Sequence, residues 1–306
     1  MSVLIIASNR QVEEWEQAFH SIDPSLDVEI FPECKHPERV TAAVLWNHPA
    51  GILSKFANLK WVTSLGAGVD HILKDNTIPP HIRITRIVDP GIATQITRMI
   101  ITMLTIFEKD LVLNWNDNEK KAWKTFSEVP KLKVGLMGIG EIGKKVAGIL
   151  KDLNYDVAGL GSTGRVYDNF KIFGQNELPQ FLKSVDVAIC LLPLTSKTEN
   201  LVNKDFFLLM NKGSYFVNVA RGKIVDEDAL LWALATGILK KAYLDVFKQE
   251  PLPADHQFWS NPNIIITPHI SGITDVGEGA RQIVTNYHTF EDSGSLINEI
   301  NKHKEY

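Results

Sequence analysis

KVGLMGIGEIGKKVAGILKDL, Lys133–Leu153, is the stretch that decides the fold. It reads as a strand, a glycine turn and a helix. Val134 and Leu136 sit in a short apolar run, and Ile142, Val146, Ile149, Leu150 and Leu153 then recur at helical spacing. Between them Gly138, Gly140 and Gly143 fall as G-x-G-x-x-G. In that pattern the first glycine permits the tight turn, the second lets a pyrophosphate approach the backbone, and the third lets the helix pack close to the strand. The start of such a helix presents free N–H groups and the positive end of its dipole, which suits a phosphate. A dinucleotide site is expected here.

Downstream the pattern repeats. Strands are expected at 134–137, 156–160, 185–191, 214–219, 241–247 and 264–267, with Asp205 and Asp226 as helix N-caps and Gly237 as a helix stop. Upstream, SVLIIA (2–7), DVEIF (27–31), TAAVLWN (41–47) and LKWVTS (59–64) read as four more strands alternating with helix or loop. The expected architecture is α/β, two Rossmann-like domains with parallel sheets. Residues 99–274 form the dinucleotide-binding domain. Residues 1–98 and 275–306 form a substrate domain, discontinuous because the helix from Val276 returns to it. Residues 93–108 carry an apolar stripe, Ile96, Met99, Ile100, Met103, Leu104 and Phe107. That helix and the aromatic-studded segment 114–129 are expected to support a homodimer.

The 306 residues carry 32 basic and 36 acidic side chains, a net charge of -4, with no basic stripe, so nucleic acid is not an expected partner. The apolar run after Ser2 is too short for a signal peptide or a membrane span. Cys34 and Cys190 have no metal-ligand spacing, and no metal site is expected. A reducing, cytoplasmic location fits two lone thiols.

In this fold an acidic residue at the end of the second strand usually grips the ribose 2′-hydroxyl and selects NAD. Here the strand Asp156–Leu160 is followed by Gly161-Ser162-Thr163-Gly164-Arg165. Two hydroxyls and a guanidinium suit a 2′-phosphate, which an aspartate would repel. NADP(H) is therefore the expected cofactor, with NAD(H) the alternative.

Three later stretches each place a chemically capable side chain just after a strand: NVARG (Arg221), LDVFKQEPLP (Glu250) and TPHISG (His269). At the C-terminal ends of parallel strands they can converge. Reduction of a 2-oxo acid needs a hydride at the carbonyl carbon and a proton at its oxygen. His269 can supply the proton. A carboxylate hydrogen-bonded to it, Glu250, favours the imidazolium, so reduction should weaken as pH rises while oxidation improves. Arg221 can hold a carboxylate and polarise the carbonyl. Upstream, Ser64-Leu65-Gly66-Ala67-Gly68-Val69 follows a strand and exposes backbone N–H groups suited to a carboxylate, with Trp46 at a neighbouring strand end.

With these motifs the chain resembles the D-isomer-specific 2-hydroxyacid dehydrogenases over almost its whole length, from LGAGVD (65–70) through GIGEIG, NVARGKIVDEDAL and LDVFKQEPLP to TPHISG. Within that family VLWNHPAGILSKFANLKWVTSLGAGVDHIL (44–73) is most similar to the glyoxylate/hydroxypyruvate reductases. Glu250 argues against the formate dehydrogenase branch, which has glutamine there. The resemblance implies Arg221, Glu250 and His269 as the catalytic set. It implies Trp46, Leu65, Gly66, Ala67 and Gly68, with Arg221 and His269, as the substrate set. Its implied cofactor contacts are Gly138, Ile139, Gly140, Glu141, Ile142 and Gly143 in the glycine turn, then Ser162, Thr163 and Arg165. Further along they are Leu192, Pro193 and Thr198, then Val219, Ala220 and Arg221, and finally Asp245, His269 and Gly272. Arg98-Met99 and the tail KHKEY depart from the family pattern and bear on substrate size. The tight loop at Gly66-Ala67-Gly68 favours glyoxylate or hydroxypyruvate. Competing readings are an NAD(H)-dependent enzyme for a larger oxo acid and a dinucleotide-sensing binding protein of the corepressor type.

Overall fold

The structure, a computed structural model, describes residues 2–8, 12–111, 123, 130–162 and 164–305. It divides into two compact units, Met1–Gly91 with Thr274–Tyr306, and Ile92–Ile273. The joints expected at 98/99 and 274/275 fall at 91/92 and 273/274.

The first unit runs β1 (Ser2–Ala7), α1 (Val12–Ile22), β2 (Val28–Ile30), β3 (Val40–Trp46), β4 (Trp61–Ser64), α2 (Asp70–Leu73) and β5 (Arg83–Thr85). Its parallel sheet has the order β2-β1-β3-β4-β5. Four strands were legible; β5 was not, because three residues with an arginine at their head carry no period. Alternation along β1 sends Val3 and Ile5 to the side of Trp15 and Phe19, and Leu4 and Ile6 to the side of Leu53 and Ile72. The strand order reverses between β1 and β3, which puts Trp46 at a topological switch point.

Helix α3 (Pro90–Lys109) starts before the expected residue 93. Proline suits a first helical position, and the Asp89 carboxylate accepts the Gly91 N–H at 2.6 Å. By length and composition α3 could cross a membrane, but half of its apolar stretch is buried in the fold, as in a core helix. Met99 of the expected stripe is half-exposed; Thr97 and Ile106 are buried instead. The ring of Phe107 stacks on Tyr215 at 4.6 Å. The aromatic segment 114–129 lies outside the described residues except Trp123, which is exposed.

The second unit continues β6 (Val134–Met137), α4 (Glu141–Asp152), β7 (Val157–Leu160), β8 (Arg165–Tyr167), β9 (Phe170–Phe173), α5 (Leu178–Lys183), β10 (Val187–Cys190), α6 (Lys204–Leu209), β11 (Ser214–Asn218), α7 (Glu227–Ala235), β12 (Leu239–Leu244) and β13 (Ile264–Ile266). Its eight-stranded sheet has the order β13-β12-β11-β10-β6-β7-β9-β8, parallel except for β8 against β9. That hairpin is not among the expected strands. Asp168 and Asn169 both adopt positive φ, 44° and 62°, and close it as a two-residue turn without the glycine that usually marks one. Asp226 caps α7 as expected, accepting from Asp228 and Ala229 N–H. The cap of α6 is Asn203, which accepts from Phe206 N–H, and Asp205 lies inside the first turn.

Register fixes where the loops leave this sheet. Leu160, Met137, Cys190, Asn218, Leu244 and Ile266 pair successively across it in one row. The next residues, Gly161, Gly138, Leu191, Val219, Asp245 and Thr267, therefore emerge together at the C-terminal edge. The sheet reverses direction between β6 and β10, the expected position for a dinucleotide. The chain then returns to the first unit as α8 (Val276–Ser293), capped by Asp275 and ended by Gly294 at φ 70°.

Candidate active site

The glycine turn between β6 and α4 assigns a different duty to each glycine. Gly138 has φ 103°, and a Cβ there would lie 2.9 Å from the Leu191 carbonyl oxygen. A Cβ on Gly143 would sit 2.1 Å from the Gly138 carbonyl oxygen, so helix and turn touch only because residue 143 is glycine. Gly140 has nothing within 4 Å. It is the N-cap of α4 and supplies no capping side chain, so the helix start faces open space. That combination fits a pyrophosphate. Ile139 is buried over Gly159 of β7, Ile142 is half-buried, and Glu141 is exposed and paired with Lys144 at 3.0 Å. The 2′-phosphate loop follows β7. Ser162 is exposed, Thr163 lies outside the described residues, and Arg165 opens β8. Arg165 is exposed, and its guanidinium makes no hydrogen bond or ion pair to another described residue.

The three catalytic candidates stand after β11, β12 and β13. His269 Nδ1 is 2.8 Å from Glu250 Oε2. The other carboxylate oxygen, Oε1, accepts the Phe247 N–H at 2.9 Å. Burial alone would raise the Glu250 carboxyl. The hydrogen bonds from His269 and Phe247, with the charges of His269 and Arg221, outweigh it and hold Glu250 below the ordinary glutamate value. Glu250 is thus ionised at neutral pH and can stabilise an imidazolium. Arg221 is half-buried, its Nη1 donating to the Ala220 carbonyl at 2.8 Å. Asn218, 1% exposed, clamps the turn: Oδ1 accepts Ala220 N–H and Nδ2 donates to the Arg221 carbonyl. Gly222 then presses on the next loop, where its absent Cβ would fall 1.9 Å from the Phe247 carbonyl carbon. In the sequence, the only signal of this role is the place of Gly222 directly after Arg221.

Two expected cofactor contacts have other partners here. Asp245 is 1% exposed, and its carboxylate accepts from the Thr267 hydroxyl and from Ile270 and Ser271 N–H. Its carboxylate holds the histidine loop. Gly272 has Ile92 and Ile96 where a Cβ would be, so its missing side chain makes room for α3. Leu192 is half-buried and Pro193 exposed. The Thr198 hydroxyl donates to the Pro193 carbonyl at 2.6 Å, shaping that loop. Val219 and Ala220 are buried beneath Arg221.

In the first unit, the Trp46 ring lies over Gly66, 2.9 Å from where a Cβ would stand. Leu65 is fully buried, and its N–H donates to Leu45. Gly66 N–H donates to Ser64 Oγ, so this group, expected to face a carboxylate, is engaged inside the fold. Ala67, Gly68 and Val69 N–H donate to no described residue. Ser64 Oγ–H goes to the Gly68 carbonyl at 2.7 Å, which leaves His71 Nε2–H to donate to Ser64 Oγ at 3.0 Å. Behind it, buried His48 pairs through Nε2 with Asp75 at 3.1 Å. Sequence reasoning missed this Ser64–His71 brace, since a histidine one place after Asp70 carries no signal by itself.

Residues 95–271 match the D-isomer specific 2-hydroxyacid dehydrogenase family over its NAD binding domain. The chain is 33% identical over 257 residues to glyoxylate/hydroxypyruvate reductase A of Yersinia enterocolitica, covering 81% of this chain and 82% of that protein. A D-isomer specific 2-hydroxyacid dehydrogenase from Xanthobacter autotrophicus Py2, solved in complex with NADPH and MES, superposes with a TM-score of 0.93 at 30% identity, over 100% of this chain and 99% of that one. An NADPH-dependent glyoxylate/hydroxypyruvate reductase from Sinorhizobium meliloti, solved with NADP and sulfate, superposes with a TM-score of 0.92 at 28% identity over 100% of both.

Proposed function

Because the chain belongs to the D-isomer specific 2-hydroxyacid dehydrogenase family, whose members are NAD(P)-dependent oxidoreductases acting on the CH–OH group, we propose that it reduces glyoxylate and hydroxypyruvate with NADPH. The products are glycolate and D-glycerate. The observation that carries this reading is the His269–Glu250 pair beside Arg221, on the same sheet edge as the glycine turn. The relatives named for this activity and the NADP(H)-bound neighbours support it.

The dinucleotide, when bound, supplies a hydride to the carbonyl carbon. His269 holds the proton. In the imidazolium Nδ1–H donates to Glu250, so Nε2–H is the proton that passes to the carbonyl oxygen. The ring ends neutral, with Nδ1–H still on Glu250. The Arg221 guanidinium is assigned to hold the carboxylate and polarise the carbonyl. In the first unit, recognition of the substrate is assigned to Trp46 and to the N–H groups of Ala67, Gly68 and Val69. Arg165 and Ser162 are assigned to the 2′-phosphate. Val219, Ala220, Leu192 and Pro193 keep their assignment as cofactor contacts. A homodimer and a cytoplasmic location, read from α3 and from the two free cysteines, belong to the same proposal.

The test is purified protein with glyoxylate or hydroxypyruvate, following reduced-nicotinamide absorbance with NADPH and with NADH. Fast NADPH oxidation with little NADH oxidation is expected. Faster NADH oxidation overturns the cofactor assignment. No turnover with either overturns the substrate assignment.

A further inference from the structure

His269 stands in a backbone conformation that is uncommon for residues other than glycine. Its φ is 55°, left-handed, and such residues persist only where their surroundings over-determine them. The surroundings are a closed ring of hydrogen bonds, buried at Tyr243, Asp245 and Ser271 and half-buried at Thr267. Thr267 Oγ1 is 2.5 Å from Asp245 Oδ1. Tyr243 Oη is 2.6 Å from Thr267 Oγ1 and 3.0 Å from Ser271 Oγ. Ser271 N–H returns to Asp245 Oδ2 at 2.8 Å. Donor accounting gives the ring a direction. The Thr267 hydroxyl donates to Asp245 Oδ1. Tyr243 must then donate to Thr267, and its oxygen is left to accept from the Ser271 hydroxyl. Tyr243 is fully buried, and burial pushes its phenol up, so it stays a neutral donor.

The two residues this ring anchors, Thr267 and Ser271, bracket His269. Between them the His269 N–H donates to the Asp245 carbonyl at 2.8 Å and Ile270 N–H to its carboxylate. We propose that Tyr243 is a positioning residue for the proton donor: through the Ser271–Tyr243–Thr267–Asp245 ring it fixes the strap that holds the His269 imidazole on Glu250. Successive bonds in such a chain polarise one another, so loss of one weakens the set. The role rests on the assignment of His269 as proton donor.

The test uses Tyr243→Phe, Thr267→Val and Thr267→Ser in the full-length protein. Each rate is normalised to NADPH-binding sites measured by titration, which removes any unfolded fraction. Tyr243→Phe and Thr267→Val should each lower kcat by about three- to tenfold, the weight of one net hydrogen bond, with NADPH affinity unchanged. Thr267→Ser, which keeps the hydroxyl, should restore kcat. Independently of activity, the His269 Nδ1–H resonance in the NADPH-free protein should broaden or move in the first two variants and stay in place in the third. Wild-type kcat per site in Tyr243→Phe, with an unmoved resonance, overturns the proposal. So does a loss in Thr267→Ser equal to that in Thr267→Val, which would make bulk rather than the hydroxyl the cause. His269→Ala, run alongside, separates the two failures. An active His269→Ala removes the proton-donor assignment itself. An inactive His269→Ala beside a wild-type Tyr243→Phe removes only the positioning role.

Discussion

Gly222→Ala places one methyl group between the loops that carry Arg221 and Glu250. Its Cβ would lie 1.9 Å from the Phe247 carbonyl carbon and 2.1 Å from its oxygen, both backbone atoms that no rotamer change can move. The loops must therefore separate by at least about 1 Å. If the Arg221 turn yields, the guanidinium moves with it. If the Phe247 turn yields, Glu250 moves, because its Oε1 is tied to Phe247 N–H, and the partner of His269 moves too. Misplacement of about 1 Å in such a constellation costs on the order of 100-fold in rate. The overpacking itself costs about 1–3 kcal/mol of stability, and a domain of this size loses roughly 2–4 °C in Tm per kcal/mol. The assay is kcat/KM for glyoxylate with NADPH, thermal unfolding, and NADPH titration. Expected are a large loss in kcat/KM, a Tm lower by several degrees, and a much smaller change in NADPH affinity, since the glycine turn at Gly138–Gly143 is untouched. A variant whose kcat/KM stays within about threefold of wild type would show that the contact at Phe247 does not set the geometry of Arg221 and Glu250.

Four further outcomes are expected. Gly140→Ala should leave the Tm of the cofactor-free protein nearly unchanged and weaken NADPH binding, while Gly143→Ala should lower Tm by several degrees; equal Tm values for the two by calorimetry would contradict their assigned duties. Arg165→Ala should raise the NADPH Michaelis constant and leave that for NADH alone, and an unchanged NADPH value refutes the 2′-phosphate contact. His269→Ala should abolish most reduction with cofactor binding intact, as read by single-turnover kinetics and fluorescence titration. Glu250 is held below the ordinary glutamate value in the folded state, so its contribution to stability is fully present above about pH 4.3 and is lost as pH falls through the lower folded value. Glu250→Gln should flatten that part of the acid limb of Tm against pH, and an identical limb in both proteins counts against the ionised pair.

The parts of the fold that could be read are those with a period or a punctuating residue. β1 matched to the residue because a continuous apolar run flanked by polar residues is a buried strand. The cap of α7 at Asp226 and its stop at Gly237 were legible, the glycine sitting at φ 72°. The β8–β9 hairpin was not, because Asp168-Asn169 does by positive φ what a glycine does by default, and the letters alone do not say so. Asp205 lost the cap of α6 to Asn203, two residues earlier. Both types cap well, and only the position of the first turn decides between them.

In the candidate site, the groups proposed to do chemistry are legible and the groups that hold them are not, for a reason that lies in topology. Arg221, Glu250 and His269 announce themselves because each stands in a short polar run after an apolar one. Gly222, Tyr243 and Ser271 act through neighbours that only the strand order supplies. Gly222 meets Phe247 because β11 lies beside β12, and Tyr243 meets Thr267 because β12 lies beside β13. The glycine turn makes the same point within one motif. Gly138, Gly140 and Gly143 are one letter in the sequence. In the fold the first is required by a positive φ, the third by a carbonyl oxygen 2.1 Å from its missing Cβ, and only the second by empty space. Two of the three would be glycine in a protein that bound nothing. The open ground over Gly140, in front of an uncapped helix, is the feature that packing leaves unexplained and a phosphate explains.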